Sequence, residues 1–210
     1  MERTGIAVAR ELEKQYRMSE QTENFHDEIQ TCLRILKEGG VIVYPTDTIW
    51  GIGCDATNEK AVERIYQIKK RVESKSLIVL LDDATKLNRY VRDLPEVAWD
   101  LLDNSDNPIT IVYSGVLNLA KNVLAADGTA GIRVTKDLFC KQLIHKFGKP
   151  IVSTSANISG KHFDGRFESI ESEVLDASDY VVGVHRNRPI GKPSTIIRLE
   201  SGGKFEIIRP

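Results

Sequence analysis

Four short polar segments carry residue types that could hold an oxyanion: Pro45–Gly53, Lys69–Lys75, Thr129–Arg133 and Ser153–Gly160. Each segment lies beside an apolar run of the kind that forms a buried strand. Open α/β sheets place their ligands in the crevice outside the strand ends. We therefore expect residues from all four segments to converge on a single ligand site.

The segment Lys69–Lys75 is strongly basic, with four cations in seven residues. One or two cations at the end of a helix merely complement the helix dipole and the last carbonyls. Four cations leave a mutual repulsion that a polyanion would relieve, and Lys and Arg side chains are common phosphate ligands in proteins. The pattern predicts a ligand that bears phosphate.

Hydroxyl and amide side chains are frequent in Pro45–Gly53 and Ser153–Gly160. Neither segment has the Gly-Lys-Ser/Thr ending of a P-loop or the Gly-x-Ser-x-Gly turn of a serine hydrolase. Small donors of this kind can bind phosphate, ribose or carboxylate oxygens. The competing interpretation is an ordinary polar turn or surface loop, and we predict a loop throughout Pro45–Gly53.

Arg133 alternates with the aliphatic Ile132 and Val134 on a short predicted strand. On a half-exposed strand such an arginine usually points to solvent, and the residues alone favour that interpretation. If Arg133 points into a crevice instead, its planar guanidinium suits a carboxylate.

Alternating helical and apolar patterns predict the elements that position these segments. Helices are expected from Asn24 to the glycines 39–40, after Asn58, after Asp137, and near 84–90, 95–103, 118–124 and 168–176. Strands are expected at 41–44, 77–81, 109–113, 131–134, 151–154, 180–184, 195–199 and 204–208. This order predicts an α/β fold: one domain of residues 24–210 with a twisted, mixed parallel and antiparallel sheet and flanking helices. Residues 1–23 are predicted to be an N-terminal extension.

The composition excludes several classes of protein. The chain has 210 residues and a formal net charge of −1, which argues against a nucleic-acid binder that relies on overall charge. Three dispersed cysteines give no disulfide framework, and four histidines without ligand spacing give no protein-bound metal site. No apolar run approaches the roughly 20 residues of a membrane span, and no signal region is recognisable. A cytoplasmic protein without membrane contact is expected.

Taken together, the polar segments resemble the L-threonylcarbamoyladenylate synthase family, whose domain is called YrdC-like. Five motifs in order carry the resemblance: Pro45-Thr46-Asp47-Thr48, Lys69-x-Arg71, Gly131-Ile132-Arg133, Ser153-x-Ser155-Ala156-Asn157-x-Ser159-Gly160 and Pro193-Ser194-Thr195-Ile196-Ile197. The resemblance spans residues 29–209 and implies a YrdC-like fold with a concave ligand crevice. It also implies a nucleotidyltransferase that condenses ATP, L-threonine and bicarbonate into threonylcarbamoyl-AMP and pyrophosphate.

The resemblance further implies partners and residue roles. The product would feed the threonylcarbamoyladenosine modification of tRNA through downstream threonylcarbamoyl-transfer proteins, with at most a weak direct tRNA contact. Mg²⁺ would arrive with ATP, without protein ligands. The implied catalytic residues are Lys69 and Arg71. The implied L-threonine-binding residues are Thr46, Arg133, Ser153 and Ser194. The implied ATP-binding residues are Arg71, Lys75, Thr129, Ser155, Asn157 and Arg209.

The chain departs from the family pattern at three places. Val72 stands where the family has proline, Lys75-Ser76 where it has Asn-Pro, and Leu80 where a histidine is common. Two further hypotheses therefore stay open. One is a divergent paralogue that binds a nucleotide and acts on another carbamoyl or acyl acceptor. The other is a non-catalytic RNA-binding module, which a second basic stretch at 186–192 favours and the net charge disfavours.

Overall fold

The computed structural model describes residues 25–71, 77–188, 191–199 and 205–210. The predicted extension, residues 1–23, lies outside this range. The α-helices are α1 (His26–Lys37), α2 (Glu59–Lys69), α3 (Glu96–Asp103), α4 (Leu138–Phe147) and α5 (Ser172–Ala177), with 3-10 turns at Ala84–Arg89, Lys121–Val123 and Phe167–Ser169. The strands are β1 (Ile42–Tyr44), β2 (Gly51–Gly53), β3 (Ile78–Leu81), β4 (Ile109–Tyr113), β5 (Ala130–Val134), β6 (Ile151–Ser155), β7 (Tyr180–Val181), β8 (Thr195–Leu199) and β9 (Phe205–Arg209).

The described strands form one nine-stranded sheet in the order β7-β1-β2-β6-β3-β5-β4-β8-β9. At its centre, β3 pairs in parallel with β5 and antiparallel with β6. Parallel pairs also join β1 to β7 and β4 to β8. The prediction of a mixed sheet with flanking helices in a single domain is confirmed.

Alternate residues of the central strands face two different layers. Val79 faces a core that includes α2, whereas Leu80 faces a second core packed by α1 and α4. These two helices cover only part of their side of the sheet. On that same side, Ile78 is in register with Gly131 and Ser153, and these three residues line an open cleft.

Local signals place several helix ends where the sequence predicts them. The Asn58 side chain accepts hydrogen bonds from the backbone N–H groups of Lys60 and Ala61 at the start of α2, and Asp137 caps α4 in the same way. Gly39 follows α1 with a φ of +79°, a left-handed conformation that glycine adopts without strain. The start of α1 differs from the prediction, because the helix begins at His26.

Strand β2 corrects the prediction that Pro45–Gly53 is a loop throughout. The Gly-Ile-Gly sequence carries no apolar alternation, so nothing in its pattern indicates a strand. Its glycines are needed because neighbouring chains lie very close: a Cβ on Gly53 would lie 2.0 Å from the carbonyl oxygen of Val152. Glycine within a strand commonly marks such a close backbone approach.

Three other predicted elements are shorter or divided. Residues 118–124 form only the 3-10 turn Lys121–Val123, and residues 168–176 divide between the turn Phe167–Ser169 and α5. The predicted strand 180–184 ends at Val181, since the Gly183 amide donates to the Glu28 carboxylate instead of to a strand. None of the described helices is both long enough and apolar enough to cross a bilayer.

Candidate active site

A cleft of about 560 Å³ opens on the part of the sheet that α1 and α4 leave uncovered. Strands β3, β4, β5, β6 and β8 all contribute to its lining. The predicted site residues that line it are Thr46, Arg71, Thr129, Arg133, Ser153, Ser155, Asn157, Ser194 and Arg209. The structure thus brings residues of all four polar segments into one cavity.

The lining of this cleft is basic. Its cationic side chains are Arg71, Arg133, Lys161, Arg198 and Arg209, and among the described residues that line it there is no carboxylate. Clefts lined by one sign of charge concentrate the field and attract ligands of the opposite sign. The cleft can therefore attract a polyanion although the whole chain carries a net charge of only −1.

Lys69 lies at a smaller pocket of about 410 Å³ that shares Arg71, Ser155 and Asn157 with the cleft. Only 1 % of Lys69 is exposed. Its Nζ donates to the carbonyl oxygen of Ser155 and, at 2.8 Å, to that of Asn157. These bonds hold the lysine at the junction between the two cavities.

The side chain of Lys69 binds its proton more weakly than an ordinary lysine does. Burial, followed by the charge of Arg71, lowers the pKa of Lys69 to about 7, although the Glu171 carboxylate opposes the shift. Strongly perturbed pKa values in clefts are frequent at functional sites. Since an anion favours the charged form of a nearby lysine, Lys69 can take up a proton near neutral pH when an anionic ligand arrives.

Of the basic segment, Lys69, Lys70 and Arg71 line the smaller pocket, but Lys70 also has a partner within the protein. Lys70, with a left-handed φ of 49°, ends α2 and pairs with Glu173 at 2.5 Å. Arg71 lines both cavities, its Nη1 lies 3.4 Å from Thr154 Oγ1, and burial lowers the pKa of its guanidinium. Lys75 lies outside the described residues. The protein itself therefore relieves some of the repulsion that the sequence pattern attributes to a missing ligand.

Arg133 is 3 % exposed and lines the cleft, so the solvent-facing interpretation that its sequence neighbours favour is wrong. That interpretation assumed a half-exposed strand, whereas β5 is central and lies between β3 and β4. The Arg133 Nη2 lies 3.3 Å from Asp47 Oδ1. Arg133 thus lines the cleft while its guanidinium also contacts the Asp47 carboxylate.

The loop that carries Thr46 is held tightly. Thr46 Oγ1 donates to the Ile49 carbonyl oxygen at 2.7 Å and accepts the Thr48 N–H at 3.1 Å. Arg188 Nη1 donates to the Thr46 carbonyl oxygen at 3.2 Å and pairs with the buried Asp137 at 2.5 Å. This loop is thus a fixed wall of the cleft.

Ser194 and Arg209 form the wall on the β8–β9 side. Ser194 Oγ lies 2.8 Å from Thr110 Oγ1, and the Ser194 carbonyl oxygen accepts from Arg209 Nη2 at 2.7 Å. Burial, followed by the charge of Arg133, lowers the pKa of Arg209. Arg133 and Arg209 both line the cleft, and their positive charges can attract an anion.

The remaining predicted residues are hydroxyl and amide groups with local partners. Ser155 Oγ donates to Asn157 Oδ1 at 2.6 Å, and Asn157 Nδ2 donates to the Lys161 carbonyl oxygen at 2.9 Å. Thr129 Oγ1 donates to Asp127 Oδ1 at 2.6 Å. Within the described ranges, no group of three or more His, Cys, Asp or Glu side chains is placed to hold a metal ion.

Sequence reasoning did not single out two residues that shape the site. Thr110 lines the cleft from β4, and only its alternation with core residues could have indicated this. Glu171 accepts the Ile158 N–H at 2.8 Å and pairs with Lys161 at 2.6 Å. No sequence signal indicates Glu171, because its contacts with Ile158 and Lys161 depend on the path of the loop that joins these residues.

The chain is similar to known proteins both in sequence and in fold. The family model for the Sua5, YciO and YrdC proteins, described as "Telomere recombination", matches residues 34–210. A threonylcarbamoyl-AMP synthase of Pseudoalteromonas translucida is 36 % identical over 183 residues, which cover 84 % of this chain and 96 % of that protein. P. abyssi Sua5 complexed with L-threonine matches with a TM-score of 0.73 at 26 % identity, over 87 % of this chain and 53 % of that one. E. coli YciO matches with a TM-score of 0.74 at 26 % identity, over 86 % and 87 %.

The family model and the sequence relative each cover most of this chain. The solved structures add a common fold over a similar share. The protein belongs to the Sua5/YciO/YrdC family.

Proposed function

We propose that this protein is a threonylcarbamoyl-AMP synthase, a nucleotidyltransferase that condenses ATP, L-threonine and bicarbonate into threonylcarbamoyl-AMP and pyrophosphate. The observation that carries the proposal is a basic cleft, lined by the buried Arg133, that adjoins a smaller pocket lined by the buried Lys69. The likeness to a protein of that name at 36 % identity supports it.

The amino acid is proposed to bind where Thr46, Arg133, Ser153 and Ser194 line the cleft. Arg133 would hold the carboxylate, because a guanidinium fork matches the two oxygens of that group. The buried hydroxyls are of a type that can bond the small polar side chain of threonine. P. abyssi Sua5, of similar fold, is complexed with L-threonine.

The nucleotide is proposed to extend from this position toward Lys69. Lys69, Arg71, Ser155 and Asn157 line the smaller pocket and would hold the triphosphate. Thr129 and Arg209, which line the larger cleft, would contact the rest of ATP. Lys75 is retained as a proposed ATP contact on the strength of the family resemblance alone.

The proposed chemistry needs positioning and charge stabilisation more than a covalent nucleophile. The neutral amine of threonine attacks the carbon of bicarbonate, and the adduct loses water to give a carbamate. If the dehydrated form, CO₂, is attacked instead, the nitrogen loses a proton to give the same carbamate. A carbamate oxygen then attacks the α-phosphorus, the bond to the bridging oxygen breaks, and pyrophosphate leaves with the electron pair. Fixed cations lower the barrier of such a step by stabilising the charge that develops on the leaving group.

Mg²⁺ is proposed to enter with ATP, as part of the substrate. The donors of the cleft are cations and hydroxyls, which suit the phosphate oxygens that the ion leaves free. The product is proposed to pass, in the cytoplasm, to proteins that transfer the threonylcarbamoyl group to tRNA. Direct contact between this chain and tRNA would be weak at its net charge of −1.

Radiolabelled bicarbonate tests the proposal directly. With ATP and L-threonine present, label is expected to appear in an adenylate, together with an equal amount of pyrophosphate. Omission of either ATP or threonine should abolish both signals. Pyrophosphate release from ATP that does not depend on threonine would contradict the proposal.

That contrary result would favour the second candidate, a divergent paralogue that acts on another carbamoyl or acyl acceptor. One observation supports this candidate. Leu80 is in register with Arg133 and replaces the histidine common in the family, so the departure from the family pattern lies beside the proposed amino-acid end.

Binding of ATP is expected to be coupled to proton uptake. Because the pKa of Lys69 is lowered to about 7 in the free protein, most of this lysine is neutral at about pH 8. A bound triphosphate raises that pKa again, so uptake of up to about one proton is expected and ATP affinity should fall as pH rises.

Calorimetry of MgATP binding in buffers of different ionisation enthalpy measures the uptake of protons. Lys60→Met, which alters an exposed lysine that lines neither cavity, should leave it unchanged, whereas Lys69→Met should remove it. Equal uptake in both variants would contradict the prediction.

A further inference from the structure

Asp47 contacts a site residue without itself facing the cleft. It belongs to the same tight loop as Thr46, yet within the described chain the cleft lining includes Thr46 and Thr48 and not Asp47. Its Oδ1 lies 3.3 Å from Arg133 Nη2. The side chains of Asp47 and Arg133 are only 7 % and 4 % exposed, so this ion pair is shielded from water.

The position of the Asp47 carboxylate is fixed by groups other than Arg133. Its Oδ2 accepts a hydrogen bond from Thr135 Oγ1 at 3.2 Å and from the Lys136 N–H at 3.0 Å. These donors directly follow the end of β5, the strand that carries Arg133. The Asp47 carboxylate is thus held in place by the chain that follows β5, and the Arg133 guanidinium packs against it.

Arg133 retains donor capacity toward a ligand. Its Nε is buried and has no hydrogen-bond partner, although buried polar groups in proteins are nearly always paired. Asp47 Oδ1 is also buried without a hydrogen-bond partner, so its contact with Nη2 is an ion pair without hydrogen-bond geometry. This ion pair favours one orientation of the planar fork. The unused donor of a buried arginine in a cleft is an independent indication that a ligand completes the site.

Charge balance gives Asp47 a second reason to be present. Arg133 lies close enough to Arg209 for its charge to be felt there, and two guanidiniums in one cavity repel each other. The Asp47 carboxylate offsets this repulsion from outside the lining, so it does not compete with an anionic ligand for space.

We propose that Asp47 is a positioning residue that orients Arg133 to receive the carboxylate of the amino-acid substrate. This inference rests on the proposed function. It goes beyond that function, because it gives a role to a residue outside the cleft. Asp47 would control the affinity for the amino acid and have little influence on the affinity for ATP.

The test is equilibrium binding of L-threonine and, separately, of MgATP to the whole chain. Asp47→Asn keeps an oxygen that can accept from Thr135 and Lys136 but removes the charge facing Arg133. It is expected to weaken threonine binding about tenfold or more, as the loss of one partner of a buried charge pair does in other complexes, and to change ATP affinity less than about twofold. The KM for threonine should rise in parallel.

The chain offers a matched control in Asp55. This aspartate is also buried, at 4 % exposure, and pairs with Lys149 at 2.7 Å, but it does not line the cleft as described. Asp55→Asn should cost stability without changing the affinity for threonine. If both variants weaken threonine and ATP binding alike, Asp47 has a general structural role and the inference is wrong.

A double-mutant cycle decides whether Asp47 acts through Arg133. In an Arg133→Met background, or Arg133→Lys if the first variant does not fold, Asp47→Asn should change threonine affinity by less than about twofold. An undiminished effect in that background would overturn the inference. If the wild-type protein binds threonine but forms no adenylate, the proposed function is wrong. The effect of Asp47→Asn on threonine affinity then decides the inference by itself. Wild-type protein that binds no threonine would overturn both.

Discussion

Replacement of Lys69 by alanine is expected to reduce pyrophosphate release about 100- to 1000-fold, which is the usual loss when one preorganised electrostatic group is removed from an active site. Lys69 lies at the junction of the two cavities and is held there by the carbonyl oxygens of Ser155 and Asn157. No other lysine of the described chain lines the smaller pocket apart from Lys70, whose charge is already paired with Glu173. The rate should be measured at saturating ATP and threonine, so that weaker binding does not account for the loss.

Lys60→Ala is the matched control, because it removes an exposed lysine of the same helix that lines neither cavity. Its activity is expected to stay within about twofold of wild type, since Lys60 lies at the opposite end of this helix from Lys69. Thermal unfolding of both variants separates catalysis from folding, because alanine at 69 leaves two carbonyl oxygens without their donor. A Lys69→Ala protein that folds and retains wild-type activity would remove this lysine from the reaction.

Gly53→Ala is expected to cost about 3 kcal/mol or more, at or above the upper end of the usual range for overpacked interiors. A Cβ at this position would lie 2.0 Å from the Val152 carbonyl oxygen and 2.8 Å from the Tyr44 ring. The first contact is with backbone in the neighbouring strand, so a side-chain rotation cannot relieve it. For a chain of this size the melting temperature should fall by roughly 6 to 12 °C, as measured by calorimetry or circular dichroism.

Gly51→Ala provides the comparison from the same strand. Its Cβ would meet Ser153 Oγ and the Thr154 carbonyl oxygen at 3.3 Å, a tight contact that small shifts can accommodate. We expect a loss below about 1 kcal/mol. If the two variants melt at the same temperature, close packing between β2 and β6 does not explain the glycine at 53.

Much of the architecture could be predicted because its signals are local. The cap residues Asn58 and Asp137 and the left-handed Gly39 mark helix ends through bonds and backbone angles within a few residues of each other. The buried strands appear as unbroken aliphatic runs. What local signals do not contain is the order of the strands, and that order decides that β5 is central and that Arg133 is buried.

The candidate site shows the same division between local and distant information. The basic and hydroxyl-rich segments could be recognised from their composition, and their convergence followed from the expected position of ligands at strand ends. The burial of Lys69 and the contact between Asp47 and Arg133 could not be recognised, because each depends on residues from distant parts of the chain. The basic segment also gave a misleading signal at Lys70, whose partner Glu173 lies far along the sequence.

The strand order has a consequence for how the protein folds. The pairing of Gly51 with Ser155 and of Ile42 with Tyr180 joins segments that are far apart in sequence, and closing such large loops slows folding. A partly assembled sheet that contains only β3, β4 and β5 has Thr129 and Arg133 but lacks the walls that carry Thr46 and Ser155. A ligand that needs all of these walls would bind only the completed sheet and would stabilise that sheet as a whole against opening.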